Sequence, residues 1–249
     1  MFDIFKVKMN QGKQYIPDIK KAVVADTFRG FPLIDAEKAK GLICAGKCPA
    51  KAMTDAPLTI DMGKCVFCGE CEAFSKSAVK FSNFHKTSAD DIKKLIIKAG
   101  IPPEEYEKTA VQVSAEIKSV FGRSLKFRQV SAGGCNGCEL ELNACGNVNF
   151  DMGRFGIDFV ASPRHADGLV ITGPITQNMA AALEDTYLSM PDPKIIIATG
   201  ACAISGGIFA DSQALNRTFF RTHTVDLYVP GCPVHPLTFI NGVLKLIGR

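Results

Sequence analysis

The sequence predicts an α/β chain: a parallel sheet covered by helices in the C-terminal half, behind a smaller cysteine-rich segment. Three observations carry that expectation. From residue 125 onward, short apolar runs alternate with helical stretches, the signature of strand–helix–strand units. Residues 1–82 hold five of the ten cysteines in a Pro- and Gly-punctuated stretch. That stretch is too small for much core, so something bound by the thiols has to staple it. Residues 83–124 hold no cysteine and read as a helical connector between the two cysteine-bearing parts.

In the first segment, PLTIDMGK reads as a short strand and turn, and SAVKFSN as another strand. SADDIKKLIIKAG (residues 88–100) reads as a helix, with Ser88 as cap, acidic residues in the first turn and Gly100 as stop. PPEEYEKTAVQVSAEIKSVFG (102–122) reads as a second helix, opening on prolines and closing at Gly122. The pair either connects the two parts or covers one face of the C-terminal sheet. Beyond them LKFRQV, IDFVAS, ADGLVITG, KIIIATG and VDLYVPG read as strands. CELELNACGNV, TQNMAAALEDTYLSM and HPLTFINGVLKLIGR read as helices.

Composition narrows the class. Of the 249 residues, 47% are hydrophobic and 22% charged, an ordinary globular balance that can bury a real core. The net charge of +4 is too small for nucleic-acid binding, and no Lys/Arg run is interleaved with aromatics. The basic excess lies at the front: residues 1–80 carry 13 Lys and Arg against 9 acids, residues 125–249 only 9 against 10. It offsets a bound anionic group, docks an acidic partner, or is a solvated face. No apolar run is long enough to span a membrane, and the N-terminus lacks a signal peptide's pattern. The expected location is therefore cytoplasmic, peripheral to a membrane through partner subunits. Ten cysteines in that setting point to metal or redox chemistry rather than disulfides.

Three strands end in glycine-bearing turns that deliver a cysteine: SAGGC, ATGAC and VPGC. Ligands of open α/β sheets collect outside the carboxyl ends of the strands, so Cys135, Cys138, Cys202 and Cys232 are expected to converge there. Four thiolates suit either zinc or a [4Fe–4S] cluster. The small residues beside each thiol leave bare backbone N–H groups, which favours the cluster.

SAGGCNGCELE, SPRHADGLVITGPIT, ATGACAISGGIF and VDLYVPGCP occur in order over most of residues 125–249. Together they resemble the small, cluster-bearing subunit of energy-converting membrane-bound [NiFe]-hydrogenases such as formate hydrogenlyase, and the related subunit of respiratory complex I. The resemblance implies a flavodoxin-like domain over 125–249. It implies that Cys135, Cys138, Cys202 and Cys232 hold the [4Fe–4S] cluster nearest the active site of a large catalytic subunit. Complex I members carry two adjacent cysteines in the first motif, whereas Cys135-Asn-Gly-Cys138 is the hydrogenase form. The last motif departs from the family's PGCPP at Val234 and keeps Cys232.

FRGFPLID, CPAKAMT and KCVFCGEC resemble the two-cluster ferredoxin subunit of the same complexes over roughly residues 25–82. That implies a small α+β ferredoxin-like domain over 1–82. In the bacterial motif the fourth cysteine of each run ligates the other cluster. Cys65, Cys68 and Cys71 with Cys48 complete one site. The other site would need cysteines where this chain has Lys38, Gly41 and Ser75, with only Cys44 left. One intact [4Fe–4S] site is therefore expected here, with Cys44 a small buried residue and Leu42, Ile43 and Phe74 filling the space.

The resulting expectation is a non-catalytic electron-transfer subunit with two [4Fe–4S] clusters, serving a hydrogenase-type large subunit alongside other iron–sulfur and membrane subunits. The alternatives are the equivalent subunit of a nickel-free, complex I-like dehydrogenase and, in another class, a zinc-stapled assembly protein. Glu139 and Glu141 read as helix-dipole partners or, by the resemblance, as a proton relay. Arg164 and His165, in SPRHAD, face the large subunit or the cluster, or form an ordinary loop salt bridge. Cys145 reads as a small core residue and His235 as a surface histidine.

Overall fold

The computed structural model describes residues 2–249. The chain opens with helix α1 (Phe2–Gln11), which exposes Ile4, Phe5, Val7 and Met9 and which no apolar stripe in the sequence announces. Strand β1 (Pro32–Ile34) leads to α2 (Ala36–Ala39), capped by Asp35, whose carboxylate accepts from the N–H groups of Glu37 and Lys38. Strands β2 (Met53–Asp55) and β3 (Leu58–Asp61) pair as a hairpin. After α3 (Glu70–Phe74), β4 (Val79–Phe81) returns to pair antiparallel with β1.

Residues 88–100 are not the expected helix. They form a 3₁₀ turn at 92–95, capped by Asp91, and then strand β5 (Ile96–Lys98), which adds antiparallel to β3. The reason is tertiary. Leu95 and Ile97 are buried and Ile96 is exposed, a period of two that places Ile97 opposite Ile60. The second expected helix is two: α4 (Pro103–Ala110) and α5 (Ala115–Phe121). Buried Val111 anchors the break, Gln112 donates its N–H to Asp90, and Ser114 caps the second helix.

The C-terminal strands are β6 (Leu125–Ser131), β7 (Ile157–Phe159), β8 (Gly168–Thr172), β9 (Ile195–Thr199) and β10 (Leu227–Val229). They form one parallel sheet in the order β10-β9-β8-β6-β7. Helices α6 (Gly137–Ala144), α7 (Gln177–Leu188), α8 (Gly200–Ser205), α9 (Phe219–Thr222) and α10 (Pro236–Leu246) complete the chain. This is the flavodoxin-like order, and it reverses direction between β6 and β8, where such sheets place their ligands.

Alternation along the strands sorts two cores. On one face Leu169, Ile171, Ile196 and Ala198 pack in a cluster that also holds Phe31, Ile60 and Leu95 of the N-terminal segment. On the other, Phe127, Val170, Ile195 and Ile197 pack with Leu142 of α6 and Phe239 of α10. The N-terminal segment also covers the open edge of the sheet. Ala89 and Tyr228 of β10 exchange backbone hydrogen bonds of 3.0 and 2.8 Å, and Ser88 Oγ donates to the Thr238 carbonyl.

Beside that seam His85 is buried and its Nε2 has no partner. Burial first, then the nearby His235 and Lys86, push its pKa down to about 4. Below the ordinary imidazole value, about 6.5, the unfolded chain takes up a proton that the folded chain refuses until about pH 4. Stability is therefore lost as pH falls through this window, by up to about 3 kcal/mol. Denaturant unfolding of His85→Gln beside the unsubstituted protein is expected to show the gap closing between pH 7 and pH 4.5. A difference independent of pH contradicts the assignment.

Candidate metal centres

The β6–α6 turn places two thiols. Asn136 (φ 70°) and Gly133 (φ 91°) take left-handed conformations, which lets the chain reverse from strand into helix within a few residues. Cys135 ends exposed, and Cys138 sits in the first turn of α6, partly buried. Cys202 lies in the first turn of α8 after β9, and Cys232 follows β10. Ala201 donates its N–H to the Gly231 carbonyl at 2.9 Å, tying the last two loops together. Burial raises the pKa of Cys138 (to about 12), Cys202 and Cys232, and neighbouring thiols of the same set push each further up.

At two positions on the rim the backbone passes so close to a sulfur that only glycine fits. A Cβ on Gly200 (φ 85°) would lie 2.5 Å from Cys138 Sγ, and one on Gly207 3.1 Å from Cys202 Sγ. Thr199, the last residue of β9, buries an Oγ1 that has no partner. Bare amides, an orphaned hydroxyl and four soft thiols fit a sulfide-bearing iron cluster as a donor set.

A second set lies in the N-terminal segment. Cys48, Cys65, Cys68 and Cys71 all border one narrow, apolar cavity that Phe74 and Phe81 help to close. Burial pushes Cys65 up to about 12 and Cys71 up to about 11, with the other thiols of the set adding to the rise. Ala52 and Phe67 donate their N–H groups to the sulfurs of Cys48 and Cys65. The positions lacking cysteines are filled otherwise. Lys38 pairs with Asp35 at the surface, Gly41 takes φ 69°, and the buried Ser75 Oγ accepts from Val79 N–H. Cys44 is buried, its N–H held by Asp55. Leu42 and Phe74 pack against the core, but Ile43 is 83% exposed and fills nothing.

The two sets share a boundary. A cavity of about 290 Å³ is lined by Cys232 and Pro233 of the first set's rim, by Phe67 between Cys65 and Cys68, and by Arg29, Glu141 and His235. The Arg29 guanidinium lies against Gly69, where a Cβ would come within 2.5 Å of its Nε. Among the described residues, no three His, Cys, Asp or Glu side chains gather closely enough to hold a single metal ion.

The remaining candidates separate. Glu139 accepts from the hydroxyls of Ser131 and Thr172, both at 2.6 Å, at the mouth between β6 and β8. Glu141, two residues on, points instead into the cavity shared by the two sets, and burial raises its pKa. The structure thus does not bring the two carboxylates together. Arg164 and His165 are exposed on a 3₁₀ turn, with no ion pair among the described residues. Cys145 is fully buried in the core. His235 is not a surface residue. Its Nδ1 accepts from Leu237 N–H as the cap of α10, and its ring stands edge-on to Phe28 and Phe150. The signal was His-Pro at a helix start, where a side-chain acceptor is needed.

The family model described as NADH ubiquinone oxidoreductase, 20 Kd subunit, matches residues 135–246. The chain is 42% identical to the probable membrane-bound hydrogenase subunit mbhJ of Pyrococcus furiosus, over 54% of this chain and 81% of that one. It is 41% identical to formate hydrogenlyase subunit 7 of Escherichia coli, over 60% and 59%. It is 42% identical to a subunit of the NADH-quinone oxidoreductase of Heliobacterium modesticaldum, over 57% and 82%. Identity at this level over four-fifths of a relative's length places the chain in the family of the 20-kDa subunit of NADH–ubiquinone oxidoreductase, which takes in hydrogenase subunits as well.

Proposed function

We propose that the chain is an electron-transfer subunit holding two [4Fe–4S] clusters and serving the large catalytic subunit of a membrane-associated [NiFe]-hydrogenase. What supports this is a cavity lined by Cys232 of the first set and by Phe67, which stands between Cys65 and Cys68 of the second. Cys135, Cys138, Cys202 and Cys232 would hold one cluster, and Cys48, Cys65, Cys68 and Cys71 the other. Such a cluster, when bound, supplies reversible one-electron storage.

The chain's own residues do the rest. Gly200 and Gly207 let the backbone pass close to the Cys138 and Cys202 sulfurs, and Ala52 and Phe67 direct N–H groups at the sulfurs of Cys48 and Cys65. Leu140 of α6 and Ile208 after α8 are exposed at 62% and 63%, on or just beyond the elements that carry Cys138 and Cys202, and Cys135 and Cys232 are exposed as well. Exposed apolar residues together with exposed thiols support a partner that buries this end of the sheet. No helix among the described residues is long and apolar enough to cross a membrane, so attachment to a membrane would run through partner subunits.

The hydrogenase reading rests on the Cys135-Asn-Gly-Cys138 spacing and on two hydrogenase relatives. The equal identity to a subunit of an NADH-quinone oxidoreductase supports the nickel-free alternative. Nickel analysis and hydrogen uptake by the intact complex, purified without oxygen, test the choice. The proposal expects nickel in the large subunit and uptake with an artificial acceptor. A complex without nickel that reduces quinone contradicts it.

A further inference from the structure

Arg217 lies partly buried in the loop after α8, and its guanidinium is spent wholly on backbone carbonyls. One nitrogen donates to Pro174 and Cys202 at 3.2 Å each, the other to Ala203 at 2.7 Å and Ile204 at 2.9 Å. The Phe220 ring covers one face, 5.0 Å from the guanidinium carbon. No carboxylate pairs with it among the described residues. A cation taken out of water normally keeps a counter-charge, because desolvation without one is costly. Here the compensation comes from backbone carbonyls, three on the short helix that carries Cys202 and one at Pro174, and from the Phe220 ring, so a cation without a counter-anion stands beside that thiol.

We propose that Arg217 sets the reduction potential of the group held by Cys135, Cys138, Cys202 and Cys232, acting as a fixed cation that favours the more negative, reduced state. This rests on the cluster reading above. Reduction adds one electron from a donor, with no bond made or broken and no proton required, and so leaves the site one unit more negative. A nearby charge that cannot titrate under working conditions weights that state directly, and arginine meets this requirement where lysine or histidine can lose a proton. The same hydrogen bonds tie the β8 loop at Pro174 to α8, so a purely structural role as a helix C-cap has to be told apart from an electrostatic one.

An anaerobic redox titration of the intact complex, reduced stepwise with dithionite and read by electron paramagnetic resonance, makes the distinction. Arg217→Gln keeps hydrogen-bonding capacity and removes the charge. Arg217→Lys keeps the charge and loses the fork. Asn216→Asp leaves Arg217 in place and sets an anion one residue away.

The expected result is a potential lowered for one cluster in Arg217→Gln, equivalent to about a tenfold fall in the reduced-to-oxidised ratio, or about 59 mV for a one-electron couple. Asn216→Asp lowers the same potential by a lesser amount, and Arg217→Lys stays near the original value. If Arg217→Gln fails to load iron, Asn216→Asp carries the test alone. Clusters loaded as in the original protein whose potentials ignore Asn216→Asp and Arg217→Gln overturn the proposal. Equal shifts in the Lys and Gln variants also overturn it, since they reduce Arg217 to a cap. Absence of iron from the unsubstituted chain would instead overturn the cluster reading itself.

Discussion

Replacing Gly200 with alanine is expected to empty the C-terminal thiol site while the sheet stays folded, so that iron falls from about eight to about four per chain, four for each cubane. Gly200 follows β9 at φ 85°, a conformation that costs an L-residue about 1–2 kcal/mol. The heavier penalty is positional. The added methyl would stand 2.5 Å from Cys138 Sγ and 3.5 Å from the Gly231 carbonyl, inside the space the sulfur occupies. Cys138 is fixed by the first turn of α6, so it has nowhere to go but out of the rim. Iron analysis together with far-ultraviolet circular dichroism checks this. Full iron content in a folded Gly200→Ala variant would show that the thiols do not close around a bound group there.

The second large effect falls on stability. Phe239 is fully buried in α10, with its ring 5.9 Å from Phe127 and 6.1 Å from Phe159. Truncation to alanine removes the central ring of that trio and leaves a cavity between α10 and the sheet. The expected loss is about 3–5 kcal/mol, a large share of the roughly 5–15 kcal/mol that holds a typical domain together. Thermal or denaturant unfolding measures it directly. A loss below about 1 kcal/mol would mean that α10 is not the cover of this face.

Much of the C-terminal half could be read from the chain because its strands and helices differ in kind. β8 and β9 are each five buried residues, apolar up to a final threonine, as expected of central parallel strands. The glycine turns after β6, β9 and β10 carry the cysteines, so topology alone assigns the thiols to one end of the sheet. The failures lie where tertiary contacts outweigh local pattern. LIIK looked helical because of the capped, acidic start before it, yet its alternation serves β3. The break at Val111–Ser114 is made by Asp90, more than twenty residues upstream, which no local window contains. Arg217 gave no motif at all. Its place depends on four carbonyls, three on α8 and one in the loop after β8. His235 was legible only as a helix start, and its two aromatic neighbours come from segments distant in sequence.

That each thiol set embraces one cubane is the claim beneath the functional reading, and metal stoichiometry tests it most directly. Protein purified under strict anaerobiosis is expected to carry about eight irons and about eight acid-labile sulfides per chain, two cubanes' worth, and to be brown. Zinc in place of iron, or iron without labile sulfide, would contradict the account.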